Sequence, residues 1–274
     1  MPVFFLKRPI IKRLIIGCFV FSCYNPFGFH FGKQDAFMKI IKSSCELLSS
    51  ISYAEALRLI ELATRVCYKS EAKIGEGTAE PLIRKIIQNN HLSPLEHVQL
   101  TFRLITSRAI LAELTRHRIC SFSVESTRYC SYGDKDIEFI QPVWVSDSVL
   151  DLVQKQLVSF RHNDYDFHMS PESEFWKEFK WLRSLEDVEM AYKDLLIKGL
   201  APQNARGVLP QDLKTEIIMS CNLWELRHIF SLRVLGTSGT PHPDMKALLE
   251  PMFWQLKEQF PVFFEDLNNE NVPL

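Results

Sequence analysis

Arg116-His117-Arg118-Ile119-Cys120-Ser121-Phe122-Ser123-Val124-Glu125-Ser126-Thr127-Arg128-Tyr129 concentrates three arginines and four serine or threonine hydroxyls in one short run. Guanidinium forks grip phosphate or carboxylate in a bidentate way, and hydroxyls and backbone N–H groups beside them complete an anion cradle. Just upstream, Ala109, Ile110, Leu111 and Leu114 follow Ser107 at helical spacing. That spacing predicts a helix capped by Ser107 and ending near Arg116. A solvated basic helix end, favoured by the helix dipole, is the plainer reading of the same arginines. The segment alone leaves both open.

Upstream of that helix, Val98, Leu100, Phe102 and Leu104 alternate with Gln99, Thr101 and Arg103, the pattern of a half-buried strand. His91 to His97 breaks a preceding helix that has Pro81 in its first turn and Leu82, Ile83, Ile86 and Ile87 along one face to Asn90. Ser52 and Glu55 have capping-box spacing and open an earlier helix, with Ala56, Leu57, Ile60, Ala63 and Thr64 on one face to Cys67. Residues 39–43 read as a short strand.

Downstream, a polar turn at Gly133-Asp134 precedes the run 137–142. The second half reads as mostly helical. Ser170 and Pro171 look like the cap and first position of a long charged helix over 171–198, which could be a peripheral insertion. Residues 215–235, bearing Trp224, Leu226, Ile229 and Leu232, read as another helix, and 243–260 as a third. Strands among helices early and helices late predict one α+β domain.

The chain has 274 residues, 46% hydrophobic and 24% charged, with a formal net charge of −1. That composition suits a globular domain and leaves any anion site to a few local arginines. A nucleic-acid binder built on Arg116, Arg118 and Arg128 would want a clustered basic surface and net positive charge. The seven cysteines include no Cys-x-x-Cys pair and are odd in number, so reduced and mostly buried thiols are expected, with no metal site. Residues 1–37 hold Lys7, Arg8, Lys12 and Arg13 before an apolar run, 14–24, too short to span a bilayer. The run has the shape of a signal peptide, and cleavage before Cys23 is one reading. The preferred expectation is that Met38 is the true start, residues 1–37 an extension, and 38–274 the domain.

Arg-His-Arg, seven residues, then Ser126, continuing to Arg128-Tyr129, resembles the signature of flavin-dependent thymidylate synthases. His91, Ser93, Glu96 and His97 with Thr101-Phe102 resemble that family's upstream motif. Ala205-Arg206 to Leu209-Pro210 is similar to its Ala-Arg-x-x-Leu-Pro element, and Asn222 with Arg233 matches a further spaced pair. The resemblance spans roughly residues 38–270. It implies an α+β fold with a central, mostly antiparallel sheet flanked by helices. It also implies a cytoplasmic homotetramer with shared active sites and no membrane or nucleic-acid partner. The reaction it implies is methylation of deoxyuridine monophosphate to thymidylate, with carbon from methylenetetrahydrofolate and reducing power from NADPH through bound FAD. The flavin-free synthases use a cysteine that follows a proline, and this chain has no Pro-Cys pair.

The same resemblance assigns the residues. Arg233 would lie against the uracil and favour its ionisation, and His91 would lie near the isoalloxazine to position folate or relay a proton. The nucleotide would be held by Glu113, Leu114, Thr115, Arg116, Val124, Glu125, Ser126, Thr127, Arg128, Arg206 and Arg233, with the segment around Ser126 reaching from a neighbouring subunit. FAD would be held by Ser93, Arg116, His117, Arg118, Val124, Asn222, Leu223, Trp224 and His228. Ser126, with no activating base evident, is expected to bind phosphate and not to act as a nucleophile. The plainer role for Arg233 is an ion pair with Glu225 or a neighbour.

Three positions depart from the family pattern. Val124 stands where many relatives have glutamate, and Glu125 is a candidate replacement. Cys67 stands where serine is frequent, and Trp224 where arginine is common, so that stacking on adenine would replace a phosphate contact. Val124 leaves room for a nucleotide-binding flavoprotein without synthase activity.

Overall fold

The computed structural model describes residues 38–161 and 169–268. The expectations for residues 1–37, the start at Met38 included, lie outside the described residues. Four strands form one antiparallel sheet in the order β2–β3–β6–β4: β2 (Ser44–Leu47), β3 (Gln99–Ser107), β4 (Ser121–Val124) and β6 (Lys214–Asn222). A separate parallel pair joins β1 (Lys39–Ile41) to β5 (Glu138–Ile140). The expected strand over 39–43 is β1, which ends at Ile41, and a second strand in the other sheet, β2, follows at Ser44. Both neighbours of β6 are antiparallel to it, with Phe102 opposite Met219 on one side and Phe122 opposite Met219 on the other.

The main sheet is covered on one face. Leu100, Phe102 and Leu104 of β3 and Ile217, Met219 and Cys221 of β6 are all buried, as the alternation of β3 predicts. Against them lie α1 (Tyr53–Cys67), α2 (Ala79–Gln88), α3 (Arg108–Leu114), α7 (Leu223–Arg233), α8 (Pro243–Gln259) and α9 (Pro261–Phe264). Each fully buried Phe or Leu here is worth roughly 1.5–3 kcal/mol of hydrophobic transfer. Arg227 of α7, itself buried, donates to the Phe263 carbonyl and grips both Asp266 carboxylate oxygens, at 2.7 and 2.6 Å. That fork ties the segment after α9 to α7.

A second apolar cluster lies under β1 and β5. It is filled by Val153 of α4 (Asp147–Arg161) and by Phe179, Leu182, Leu185 and Tyr192 of α5 (Trp176–Ile197). The charged helix is thus no peripheral insertion, because its buried residues form a core of their own. It starts at Trp176 and not at Pro171, where the chain makes only turns, and its cap, Phe175, has no side-chain hydrogen bond. A short helix α6 (Pro202–Ala205) leads into a 3-10 turn at Arg206–Val208.

The main correction concerns residues 215–235. Lys214–Asn222 is a central strand, and only Leu223–Arg233 is helix. The buried residues Thr215, Ile217, Met219 and Cys221 alternate with half-buried Glu216, Ile218 and Ser220, a period of two masked by helix-compatible residues on both sides. The cysteines also differ from expectation. Among the described residues only Cys221 is buried, Cys45 and Cys120 are half-buried, and Cys67 and Cys130 are exposed. No helix among the described residues is long and apolar enough to cross a membrane.

The capping box at α1 forms as read. Glu55 N–H donates to Ser52 Oγ at 3.2 Å, and Ser52 N–H donates to the Glu55 carboxylate at 2.8 Å. Ser52→Ala removes one side of it and is expected to lower unfolding stability by about 1 kcal/mol in urea with an unchanged m-value. An unchanged midpoint would show that this cap contributes nothing.

Candidate active site

Two corners of the sheet place the site. Ser107 ends β3 and caps α3, accepting from Ile110 N–H at 3.3 Å. Asn222 ends β6 and caps α7, accepting from Glu225 N–H at 2.8 Å. Each strand runs into its helix with no loop, so the helix faces inherit the register of the sheet.

The end of α3 meets α7 in a chain of hydrogen bonds. Arg233 Nε–H donates to His117 Nε2 at 3.3 Å, and Arg233 Nη1–H donates to Glu113 Oε2 at 3.4 Å. A guanidinium can only donate, so His117 Nε2 must carry its lone pair and Nδ1 the proton. Nδ1–H then donates to Glu225 Oε1 at 3.1 Å. Burial pushes the His117 pKa below the ordinary value, and the Arg233 charge acts the same way, while Glu225 opposes them. The neutral tautomer required by Arg233 is thus the form that burial favours. Arg233 is paired with Glu113 of α3, across helices, where its plainer reading held an ion pair on its own helix with Glu225 or a neighbour.

His117, Glu225 and His228 place possible ligand atoms within 4.8 Å of one another. His117 spends both ring nitrogens, however, and a cation there would sit beside the Arg233 guanidinium. The His117 and His228 rings meet edge to face at 6.0 Å. Trp224 and His228 are exposed one turn apart on α7. Arg116 and Arg118 flank His117, are exposed, and have no guanidinium partner among the described residues. Two uncompensated cations beside an aromatic face suit a ligand that is both anionic and flat, as a flavin dinucleotide is.

A second group gathers at the Arg206 turn. Arg206 Nη1 donates to Thr127 Oγ1 at 3.3 Å, and Arg128 Nε donates to Gln203 Oε1 at 3.2 Å. A cavity of about 360 Å³ is lined by Arg108, Thr127, Arg206, Gly207, Leu209, Pro210, Gln211 and Leu213. Two guanidinium groups face it and no carboxylate does. Arg108 Nη1 is fully buried without a partner, a costly state unless an anion completes it. Sequence reading missed Arg108. It stands at the first position of α3, eight residues before Arg116, where it reads as an ordinary exposed helix residue.

The other expected residues separate into those free to bind and those already engaged. Ser126 Oγ accepts from Arg128 N–H at 3.4 Å, with no base against it among the described residues. Leu114 and Leu223 are buried side chains, so only their backbone is left to meet a ligand. Thr115 is exposed, its hydroxyl turned back to the Ala112 carbonyl at 3.2 Å. Val124 packs on the main core. Glu125 accepts from the Tyr132 hydroxyl at 2.9 Å and from Lys214 at 3.1 Å, which leaves it poorly placed to replace a glutamate at 124. Ser93 opens a 3-10 turn and is exposed, as is His91, whose Nδ1 lies 3.2 Å from the Tyr68 hydroxyl.

Fold and site together describe an α+β protein with two arginines, unpaired among the described residues, beside exposed Trp224 and His228, and a separate arginine-lined pocket. The chain belongs to the thymidylate synthase complementing protein family, whose model matches residues 48–262. It is 30% identical over 209 residues to a flavin-dependent thymidylate synthase of Haloarcula marismortui, a match covering 71% of this chain and 77% of that protein. A flavin-dependent thymidylate synthase of Pyrococcus furiosus matches at 30% over 61% of this chain and 59% of its own length. Among solved structures, a UMP/dUMP methylase from Streptomyces cacaoi bound with 5-Br dUMP superposes with a TM-score of 0.62 at 25% identity, over 83% of this chain and 96% of that one.

The His117 resonances should titrate with a midpoint below about 6.5, the unperturbed value. A depressed histidine pKa means the folded state binds fewer protons than the unfolded one. The stability it contributes is complete above 6.5 and is lost as pH falls through the folded pKa. An NMR midpoint above 6.5 would contradict the tautomer assigned here.

Proposed function

We propose that this chain is a flavin-dependent thymidylate synthase. It methylates deoxyuridine monophosphate to thymidylate, taking carbon from methylenetetrahydrofolate and reducing power from NADPH through bound FAD. The observation that carries the reading is Arg233, pinned by Glu113 and His117 at the meeting of α3 and α7, in a chain of this family.

A cation fixed in advance lowers the cost of negative charge developing on a pyrimidine ring, since it need not reorganise when the charge appears. Two hydrogen bonds hold Arg233 so that its remaining N–H groups can face the base. Arg206, Thr127 and Arg108, with Ser126 and Arg128 beside them, would take the nucleotide phosphate. Arg116, Arg118, His117, Asn222, Trp224 and His228 would hold the flavin, whose reduced ring supplies hydride when bound. Ser93 and His91 would close that side, His91 with its Nε2 free because Nδ1 faces Tyr68.

The active form is a cytoplasmic homotetramer in which one subunit lends its phosphate-binding residues to a neighbour. Exposed Leu59, Leu62 and Val66 at helical spacing on α1 favour self-association. One observation favours the second reading, a flavoprotein that binds nucleotide without turnover: Glu125 is tied to Lys214 and no carboxylate stands at Val124.

Purified protein should be yellow, with flavin absorption that bleaches on NADPH, and should release tritium from 5-tritiated deoxyuridylate when methylenetetrahydrofolate is present. Arg233→Ala is expected to abolish release while flavin absorption survives. Tritium release unchanged in that variant would remove Arg233 from the mechanism, and a colourless protein that cannot be reconstituted with FAD would overturn the whole reading. Losing a charged hydrogen bond costs about 1.5–3 kcal/mol, so Arg108→Met should raise the KM for deoxyuridylate roughly tenfold or more with little change in kcat. An unchanged KM would remove Arg108 from the phosphate group.

A further inference from the structure

The structure assigns Cys120 and Cys221 as a cross-strand dithiol that closes to a disulfide under peroxide, a covalent modification site at the edge of the flavin and nucleotide groups. Ser121 pairs with Ser220 in the β4–β6 ladder, so one step back along β4 sets Cys120 opposite Cys221. Glu125 N–H donates to Glu216 O at 2.8 Å, which makes 125 and 216 a hydrogen-bonded pair. Counting back in steps of two, 123/218 and 121/220 are bonded pairs, and 120/221 falls on a non-bonded site. Side chains approach most closely at such sites, with Cα atoms about 4.5 Å apart, inside the range a disulfide needs. Both side chains lie on the core face, where Cys120 packs with Phe122 and Val124.

The Cys120 thiol is near enough to Cys221 to raise its pKa. Cys221 is 2% exposed and Cys120 is half-buried, so the pair has one accessible and one sheltered sulfur. The neighbouring Cys120 thiol, and then burial, push the Cys221 pKa up and favour its protonated form. Cys120 is therefore the sulfur that meets an oxidant, and Cys221 the one that resolves it. The Cys120 thiolate attacks one oxygen of hydrogen peroxide. The O–O bond breaks, hydroxide leaves and takes up a proton, and Cys120 becomes a sulfenic acid. The Cys221 sulfur then attacks Cys120, the S–O bond breaks, and hydroxide leaves as water with the Cys221 proton. Two thiols and one peroxide give one disulfide and two waters, two electrons passing from sulfur to oxygen.

The location gives the bond its consequence. Cys120 N–H donates to the His117 carbonyl at 3.2 Å, closing the Arg116–Arg118 turn. Cys221 directly precedes Asn222, the cap of α7. A disulfide here fixes the distance between the two elements that carry His117 and Glu225. It also closes a loop of about 100 residues, a large constraint on the unfolded chain.

Trypsin separates the two cysteines cleanly: peptide 119–128 carries only Cys120, and peptide 215–227 carries only Cys221. Reduced full-length protein is treated with a small excess of hydrogen peroxide, alkylated, digested and analysed by mass spectrometry. The expected product is 119–128 joined to 215–227, two hydrogens below the summed mass, lost on dithiothreitol treatment. The oxidised protein should also melt several degrees higher than the reduced protein, a rise absent in Cys120→Ser. The proposal is overturned if 119–128 carries sulfinic or sulfonic acid, or joins another cysteine, while 215–227 is recovered alkylated. It is equally overturned if Cys120→Ser shows the same rise in melting temperature.

Discussion

Strand β6 is hydrogen-bonded along both edges, and the rest of the molecule is arranged by that constraint. Its register fixes β3 on one side and β4 on the other. Its last residue, Asn222, is also the cap of α7, so the helix begins with no slack. Because β3 runs antiparallel, Ser107 lies at the opposite end of the ladder from Asn222. Helix α3 must return across the sheet for its last turn to reach α7. The His117–Glu225 bond is where it arrives.

That geometry sorts the cations of the site by whether protein carboxylates already satisfy them. Arg227 grips Asp266 and the Phe263 carbonyl through its two terminal nitrogens, leaving only its buried Nε–H unmet among the described residues, and serves the fold. Lys214 is surrounded by Glu125, Glu138 and Glu216 and serves the sheet. Arg233 is held but not saturated, fixed in place by one carboxylate and one neutral imidazole. Arg116 and Arg118 have no carboxylate partner among the described residues, and Arg108 leaves a buried N–H group unmet. A buried unmatched donor costs stability in a folded chain, whereas exposed guanidinium groups such as those of Arg116 and Arg118 are met by water until an anion displaces it. Arg108, Arg116 and Arg118, which lack a carboxylate partner among the described residues, are thus the cations with room for an anion.

Much of this was legible in the sequence because local rules and global fold agree there. The Ser52 capping box, the alternation of β3 and the Ser107 cap each rest on residues within a few positions of one another. Residues 214–222 failed for the opposite reason. Ile217, Ile218 and Met219 break strict alternation, and nothing local shows that both edges would be paired. Arg108 was missed because its importance comes from Arg206, nearly a hundred residues away in sequence. Glu125 was a reasonable substitute for a glutamate at 124 until its partners Tyr132 and Lys214 were in view. The Cys120–Cys221 contact was hidden behind the same misread strand: without β6 there is no register to bring them opposite each other.

The proposal rests on two anion-binding groups, one around Arg233 and His117 and one around Arg108 and Arg206, serving a single nucleotide and its flavin. A crystal structure of the protein with FAD and 5-bromodeoxyuridylate tests it most directly. The account predicts the pyrimidine within hydrogen-bond reach of Arg233 and the phosphate against Arg206, Thr127 and the Arg108 Nη1 group, whether from one subunit or two. A nucleotide phosphate bound elsewhere, with Arg108 and Arg206 left empty, would contradict it.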